Sequence, residues 1–203
     1  HDLATASQEE ALRLARASRD VFGEARVLAL LGRLAGLLGR HDEALSYHRK
    51  ELVASRRLGN VSGQAQALAN IAAAWTRRGR WDRAARSAGK AMAIASECDA
   101  RSVQAQAAHV MAMANVASGK LDAAISWLTH ARDVLDELDS LHDLACVADD
   151  LANAFQRAAR YDEAEAYRQQ ALRIRTHLRD RLGQGRTLMN MGTSAAERGD
   201  ALT

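Results

Sequence analysis

The chain has 203 residues, 48% of them hydrophobic but only 4% aromatic, and it contains no proline, which is typical of uninterrupted helices. It lacks both a signal-peptide pattern and an apolar run of the roughly 18 residues that a membrane span needs, so we predict a cytoplasmic protein without a membrane segment. The net charge is only +3, and nearly all of the positively charged residues are Arg. Two distant cysteines, Cys98 and Cys146, argue against a disulfide framework.

A corner pattern recurs along the chain every 40 residues. It consists of a small residue, a basic residue, any residue, Asp, any residue and Ala, and it occupies 39–44, 79–84, 119–124 and 159–164. Glycine ends a helix because it adopts left-handed backbone angles without steric cost. We expect the aspartates to be N-caps of the helices that follow, and the alanines to allow close helix contact. These aspartates are Asp42, Asp82, Asp122 and Asp162.

A second set of polar residues lies half a period away. Residue pairs 19–20, 59–60, 139–140 and 179–180 are expected to cap the other helix of each pair, and Asp99 to take this role where the column slips. Apolar residues recur at i, i+3 and i+7 between the corners, which is the spacing of one helix face. The pattern predicts ten helices, at about 2–18, 21–38, 42–58, 61–78, 82–98, 101–118, 122–138, 141–158, 162–178 and 181–198.

These columns resemble the tetratricopeptide repeat over essentially the whole chain. The large-small pair of that family is matched by Leu31 and Gly32 and by its counterparts at 71–72, 111–112, 151–152 and 191–192. Trp75 and Phe155 match its aromatic residue. Its two alanine columns are matched by Ala44, Ala84, Ala124 and Ala164, and by Ala91, Ala131 and Ala171, whereas Glu51 departs from the second column.

The repeat of 40 residues without proline differs from the common unit of about 34. It looks like the long-helix subclass found in bacterial SARP and STAND-type regulators, in kinesin light chain and in G-protein-signalling modulators. The Ala- and Arg-rich composition is most similar to the bacterial regulators.

The resemblance implies an all-α fold, a right-handed α-solenoid of about ten antiparallel helices with a concave groove. We predict a single repeat domain over 1–203, with a half repeat at 1–20, four full repeats at 21–60, 61–100, 101–140 and 141–180, and a half repeat at 181–203. The chain opens on a second helix and closes after a first helix, so we expect a fragment of a longer protein; the alternative is a frayed or partner-paired terminus.

In the family, the first helix of each repeat lines the groove. The groove positions that the resemblance assigns to partner binding are Arg26, Arg33, Gln66, Asn70, Arg77, His109, Asp150, Asn153, Arg157 and Asn190. Asn70 and Asn190 are expected to hold the main chain of a bound peptide, and arginines such as Arg77 its acidic groups. Asp149 falls in the same groove. A carboxylate clamp is disfavoured, because only Asn70 matches it cleanly.

No pattern predicts catalysis, and we expect neither an enzyme, a metal site nor a cofactor. The histidines and cysteines show no ligand spacing. The histidines are interpreted as surface or interface residues, Cys98 and Cys146 as small helix-packing residues, and Trp75 and Trp81 are expected to pack between hairpins. Two basic runs, 77–86 and 173–186, are interpreted as solvated faces with ion pairs, and nucleic-acid binding through them is disfavoured.

The leading hypothesis is therefore a non-catalytic interaction or ligand-sensing module of a larger regulator. Its partner would be a protein, a peptide or another domain of the same protein. The alternative is a structural spacer or self-association scaffold.

Overall fold

Helices account for nearly all of the backbone. The computed structural model describes residues 2–199, with side chains for 7–199, and these residues form ten α-helices and no strand. The helices are α1 (Asp2–Ala17), α2 (Val21–Leu37), α3 (His41–Arg57), α4 (Val61–Arg77), α5 (Trp81–Glu97), α6 (Arg101–Ala117), α7 (Leu121–Glu137), α8 (Leu141–Arg157), α9 (Tyr161–His177) and α10 (Arg181–Arg198). Each predicted helix end lies within one residue of the observed end, and the all-α prediction is confirmed.

Every corner contains one residue with left-handed backbone angles, and these residues recur every 20 positions. Five are glycines, at 39, 59, 79, 119 and 199, and five are not: Arg19, Asp99, Asp139, Ala159 and Arg179. The predicted role of glycine at the corners is thus confirmed. Five of the nine corners between the described helices nevertheless bear the steric cost of a side chain at positive φ.

The aspartates of the 40-residue pattern are not N-caps, so this prediction was wrong. The N-cap residues of α3, α5, α7 and α9 are Arg40, Arg80, Lys120 and Arg160, and none makes a side-chain capping bond. One residue separates the left-handed position from the helix, which moves each Asp into the first helical turn. There its charge still stabilises the helix dipole.

The caps predicted half a period away are confirmed at three positions. Asp20, Asn60 and Asp180 each accept a hydrogen bond from the backbone N–H three residues later. Ser140 is an N-cap by position but its hydroxyl contacts Asp143, at 3.1 Å. Asp99 does not cap α6 as expected, because it occupies the left-handed position itself, with φ of 51°.

The chain forms two compact units, and the boundary between them falls after Ala114, within α6. In the first unit each of α1 to α4 packs on the next helix in sequence, and in the second unit α7 packs on α8, α8 on α9 and α9 on α10. The single repeat domain and the handedness of the superhelix stay predictions. No helix among the described residues is long and apolar enough to cross a bilayer.

Small residues fill the contacts between helices. The four alanines of the corner pattern are at most 1% exposed, and those at 91, 131 and 171 are fully buried, as the resemblance implies. Trp75 is 7% exposed within a cluster that includes Leu68 and Ile71. Trp81 retains 36% of its surface, so only the first of these two tryptophans packs in the core as expected.

Candidate partner-binding surface

The ten predicted groove residues all lie on first helices of the repeats, and none is in the core. Six belong to the first unit: Arg26 and Arg33 on α2, Gln66, Asn70 and Arg77 on α4, and His109 on α6. Four belong to the second unit: Asp150, Asn153 and Arg157 on α8, and Asn190 on α10. Each is exposed or half-buried, so its side chain reaches the surface.

A row of amide side chains joins α4 to α6 in the first unit. The Gln66 Nε2 group donates to Asn70 Oδ1 at 3.2 Å and to Gln106 Oε1 at 2.9 Å. Gln66 and Gln106 occupy the same register in successive repeats, which places them side by side. Asn70 is half-buried and its Oδ1 atom accepts from Gln66, so its Nδ2 group, which makes no hydrogen bond within 7–199, is available to donate to a partner. We call Gln66, Asn70 and Gln106 the amide row.

Positive charge lies beside the amide row. Arg26 and Arg33 are two turns apart on α2, and the Arg77 Nη1 atom approaches within 3.6 Å of the place where a Cβ on Gly36 would be. Arg77 of α4 therefore reaches over α2, one turn beyond Arg33. The acidic residue in α2 and α4 is Glu24, which pairs with Arg16 at 2.8 Å. Helices α2 and α4 thus present amide and guanidinium groups with little acidic competition.

In the second unit, Asp149 does not line a groove, contrary to the sequence expectation. It is 7% exposed, and its carboxylate accepts hydrogen bonds from Arg175 Nη1 and from the Thr187 hydroxyl. Arg175 is only 2% exposed and also donates to the Gly183 carbonyl at 3.2 Å. This network ties α8, α9 and α10 together and satisfies Asp149 internally. The interpretation of 173–186 as a solvated basic run was therefore wrong at Arg175.

Asn153 has a buried arginine behind it. Arg168 is 1% exposed, and its Nη2 group donates to Asn153 Oδ1 at 3.5 Å and to Gln156. Burial lowers the pKa of Arg168 from its ordinary value. Its Nε and Nη1 atoms are buried and have no partner among the described residues. With Oδ1 occupied, Asn153 presents its Nδ2 donors to the surface, as Asn70 does.

Sequence reasoning missed both buried arginines, although the repeat contained a signal for them. Positions 168 and 175 share the registers of Ala88 and Ala95, which are fully buried in α5. An arginine in a register that is apolar elsewhere indicates a charge inside the core, which requires partners from neighbouring helices.

A second buried polar pair lies between α2 and α3. His48 Nδ1 and Glu51 Oε2 are 2.8 Å apart, and the two residues are 4% and 5% exposed. The His48 ring packs on Gly32, which agrees with the expectation of an interface histidine. Glu51 departs from the alanine column because it serves as the partner of His48.

The cysteines and acidic residues do not assemble a reactive centre. Cys98 and Cys146 are free thiols, and burial raises the pKa of the Cys146 thiol. A thiol of raised pKa is a weak nucleophile at neutral pH. Over the described range no group of three or more His, Cys, Asp and Glu side chains could hold a metal ion. That the chain is not an enzyme stays a prediction.

Comparison with known proteins supports the repeat assignment. The family model described as the tetratricopeptide repeat matches residues 27–62 and 148–182. No curated protein matches the sequence.

Three solved structures illustrate the fold similarity. BtubC (BKLC) from P. vanneervenii has a TM-score of 0.81 at 24% identity, over 98% of this chain and 83% of that one. A putative kinesin light chain with TPR-like repeats from Podosopora anserina has a TM-score of 0.68 at 15% identity, over 87% of each chain. A Rap protein complexed with Competence and Sporulation Factor has a TM-score of 0.71 at 14% identity, over 88% of this chain and 49% of that one.

At these identities the structural matches show the fold alone, and a bacterial SARP or STAND-type subclass stays a prediction. The tetratricopeptide-repeat model matches two segments of the chain, and the similarity to BtubC extends the same fold over 98% of it.

Proposed function

We propose that the chain is a non-catalytic binding module of a larger cytoplasmic regulatory protein, and that it holds an extended partner segment against its first helices. The observation that carries this proposal is the amide row, in which Gln66 bonds to Asn70 Oδ1 and leaves the Nδ2 group of Asn70 available as a donor. Gln66 orients Asn70 from within the protein, so the Asn70 amide is organised before a partner arrives. Preorganised groups bind more tightly because less side-chain entropy is lost on binding.

Extended polypeptide is the ligand that fits such a row. Its main-chain carbonyls are acceptors, and Asn70 Nδ2 is an available donor. Arg33 and Arg77 beside the row would bind acidic side chains of the same segment, and charge-assisted hydrogen bonds of this kind contribute about 1.5–3 kcal/mol. The solved complex of a Rap protein with Competence and Sporulation Factor supports partner binding by a fold of this type.

The second unit offers a related surface. The Oδ1 atom of Asn153 accepts from Arg168, as that of Asn70 accepts from Gln66, and Arg157 lies one turn further along α8. Asn190 on α10 occupies the register of Asn70 and would bind main chain likewise. Asp150 adds a negative charge, so we propose that this unit prefers a partner segment of mixed charge.

The test uses peptides selected from a random library displayed on phage, with the wild-type protein as bait. Selected peptides should bind the double variant Asn70→Ala/Arg77→Ala at least about tenfold more weakly, which corresponds to about 1.4 kcal/mol. The matched control is Gln169→Ala/Arg173→Ala, which removes one amide and one guanidinium from the exposed surface of α9. Calorimetry measures affinity, and circular dichroism verifies the fold. Equal affinities for wild type and the first variant would eliminate the groove hypothesis.

A self-association scaffold is the second candidate, and an apolar surface on α10 favours it. Leu188 is 53% exposed and Met189 is 66% exposed. Leu188 shares its register with Leu28 and Leu68, which are buried. If this surface pairs copies of the chain, light scattering will show a mass that rises with concentration, and Leu188→Ser will abolish the rise. A constant monomer mass would exclude this candidate.

A further inference from the structure

Apart from the amide row, the first unit contains a concentration of positive charge. Between Ala44 and Ser96 the chain has ten Arg and Lys residues but only two acidic residues, Glu51 and Asp82. Glu51 is buried against His48 and does not reach the surface. A chain of net charge +3 therefore has its excess positive charge concentrated in one quarter of its length.

Three of these arginines converge on a single tryptophan. The guanidinium carbons of Arg49, Arg78 and Arg83 lie 5.8, 5.5 and 4.7 Å from the centroid of the Trp75 ring. They come from α3, from the corner between α4 and α5, and from α5. The ring attracts each cation through its quadrupole and thereby offsets the repulsion among them. We call these four residues the arginine–tryptophan cluster.

The cluster has more positive charge than its surroundings neutralise. Arg78 pairs with Asp42. Arg49 and Arg83 make no ion pair with any residue in the described part of the chain, and both are exposed. A guanidinium that stacks on an aromatic ring keeps its N–H groups at its edge, where they can bind an oxyanion in a bidentate manner. Arg49 and Arg83 are thus positioned donors without an acceptor.

The basic surface continues beyond the cluster. Arg49 also lines an open cavity with Arg16, Lys50 and Arg57. The acidic residue of this cavity is Glu24, whose carboxylate is bonded to Arg16. The surface from α1 to α5 could therefore contact several anionic groups in a row, which exceeds what a single small anion would need.

We propose that the arginine–tryptophan cluster binds an acidic segment of a polypeptide partner, with Asp or Glu carboxylates on Arg49 and Arg83. Two observations favour carboxylates over a nucleic acid. Arg78 already holds the carboxylate of Asp42 in this structure. The Trp75 ring is 7% exposed beneath the guanidinium groups, so it cannot act as a stacking platform for bases. The cluster and the amide row share no residue, so each proposal can be tested independently of the other.

The test measures fluorescence anisotropy of a fluorescein-labelled oligo-glutamate peptide, with a single-stranded oligonucleotide of equal charge as the rival probe. Arg49→Gln/Arg83→Gln removes both charges but keeps an apolar stem over Trp75. The matched control, Arg173→Gln/Arg181→Gln, removes two exposed arginines from the second unit. We expect about tenfold weaker peptide binding by the cluster variant and less than about twofold by the control.

A spectroscopic readout locates the bound peptide. Protein labelled with 5-fluorotryptophan should give a separate fluorine resonance for each of Trp75, Trp81 and Trp127, assigned with single Trp→Phe variants. Oligo-glutamate should shift the Trp75 resonance in a saturable manner and leave that of Trp127 unchanged. An equal loss of affinity in both double variants, tighter binding of the oligonucleotide, or an unmoved Trp75 resonance at saturation would each overturn the proposal.

Discussion

The hairpins α4–α5 and α8–α9 share a backbone period but not a core. Helices α5 and α9 have the same length and begin at the same register, yet α5 places Ala88 and Ala95 where α9 places Arg168 and Arg175. All four residues are at most 2% exposed. The same helical packing therefore accommodates either the smallest apolar side chain or the largest cation, provided that the neighbouring helices change with it.

The neighbours do change, and in different ways for the two arginines. Arg175 pairs with Asp149, in a register where α4 has Ala69, and its Nε atom also lies 3.8 Å from Asp180 Oδ2. Arg168 makes no ion pair in the part of the chain that the structure describes, and donates instead to Gln156 and Asn153. A buried ion costs several kcal/mol of desolvation, and attraction to a partner offsets this only where the geometry is good. The packing of α8, α9 and α10 thus depends on buried polar contacts, whereas the packing of α4 on α5 depends on the small size of alanine.

The largest expected effect comes from breaking the Arg175 network. Asp149→Ala removes the nearer of the two carboxylates at the buried Arg175, since Asp180 Oδ2 lies 3.8 Å from Arg175 Nε, and it should lower the free energy of unfolding by up to about 3–5 kcal/mol. Denaturant titration followed by circular dichroism measures the loss.

The compensating variant makes this prediction sharper. Asp149→Ala/Arg175→Leu introduces the residues found at equivalent positions of other repeats, which are Ala69 in α4 and Leu135 in α7. This double variant should recover most of the lost stability. If Asp149→Ala costs less than about 1 kcal/mol, the network does not hold this region together.

An intermediate effect is expected at the contact between Gly32 and His48. A Cβ on Gly32 would lie 2.6 Å from the Nε2 atom of the buried His48 ring, so Gly32→Ala should destabilise the protein by about 1–3 kcal/mol. Ala152 fills the equivalent register of α8, which shows that the repeat itself tolerates alanine there.

Two variants test whether the clash is responsible. Gly36→Ala lies one turn later and meets only Arg77, at 3.6 Å, so it should be neutral or stabilising by up to about 1 kcal/mol. His48→Ala should remove the penalty of Gly32→Ala when the two are combined. A cost that persists in the His48→Ala background would contradict this explanation. Thermal unfolding measures the stability of Gly32→Ala, Gly36→Ala, His48→Ala and the Gly32→Ala/His48→Ala combination.

The sequence predicted the features that depend on local chemistry. The glycine corners, the caps at Asp20 and Asn60 and the alanine columns follow from propensities that act within a few residues. Ten helices could therefore be placed within one residue.

The features that the sequence did not predict depend on partners distant along the chain, or on a displacement of only two positions. The charge of Arg175 is satisfied by Asp149, which is 26 residues away, so the helix alone resembles a solvated face. Asp42 looks like an N-cap in sequence, because an N-cap and a first-turn aspartate differ by only two positions. The candidate surface was predicted as a set of positions. Which Asn70 atom stays available to a partner, however, depends on a hydrogen bond from Gln66 that spacing cannot reveal.

The smallest effects are expected at the corners of these same two hairpins. Gly79 and Ala159 occupy the same register, with φ of 65° and 58°. A Cβ on Gly79 would meet nothing within 4 Å, so Gly79→Ala costs only backbone strain, about 1 kcal/mol.

Ala159→Gly should have the opposite sign. It relieves about 1–2 kcal/mol of left-handed backbone strain, but the greater conformational entropy of glycine in the unfolded chain costs about 0.4–1 kcal/mol. The free energy of unfolding should therefore rise by roughly 0.5–1 kcal/mol. Ala166→Gly is the matched control, because it makes the same change on the exposed side of α9, where helical backbone gains nothing from glycine and loses about 0.5–1 kcal/mol. Denaturant midpoints that shift in the same direction for both Ala→Gly variants would mean that the α8–α9 corner is unstrained, and that the two hairpins differ only in their cores.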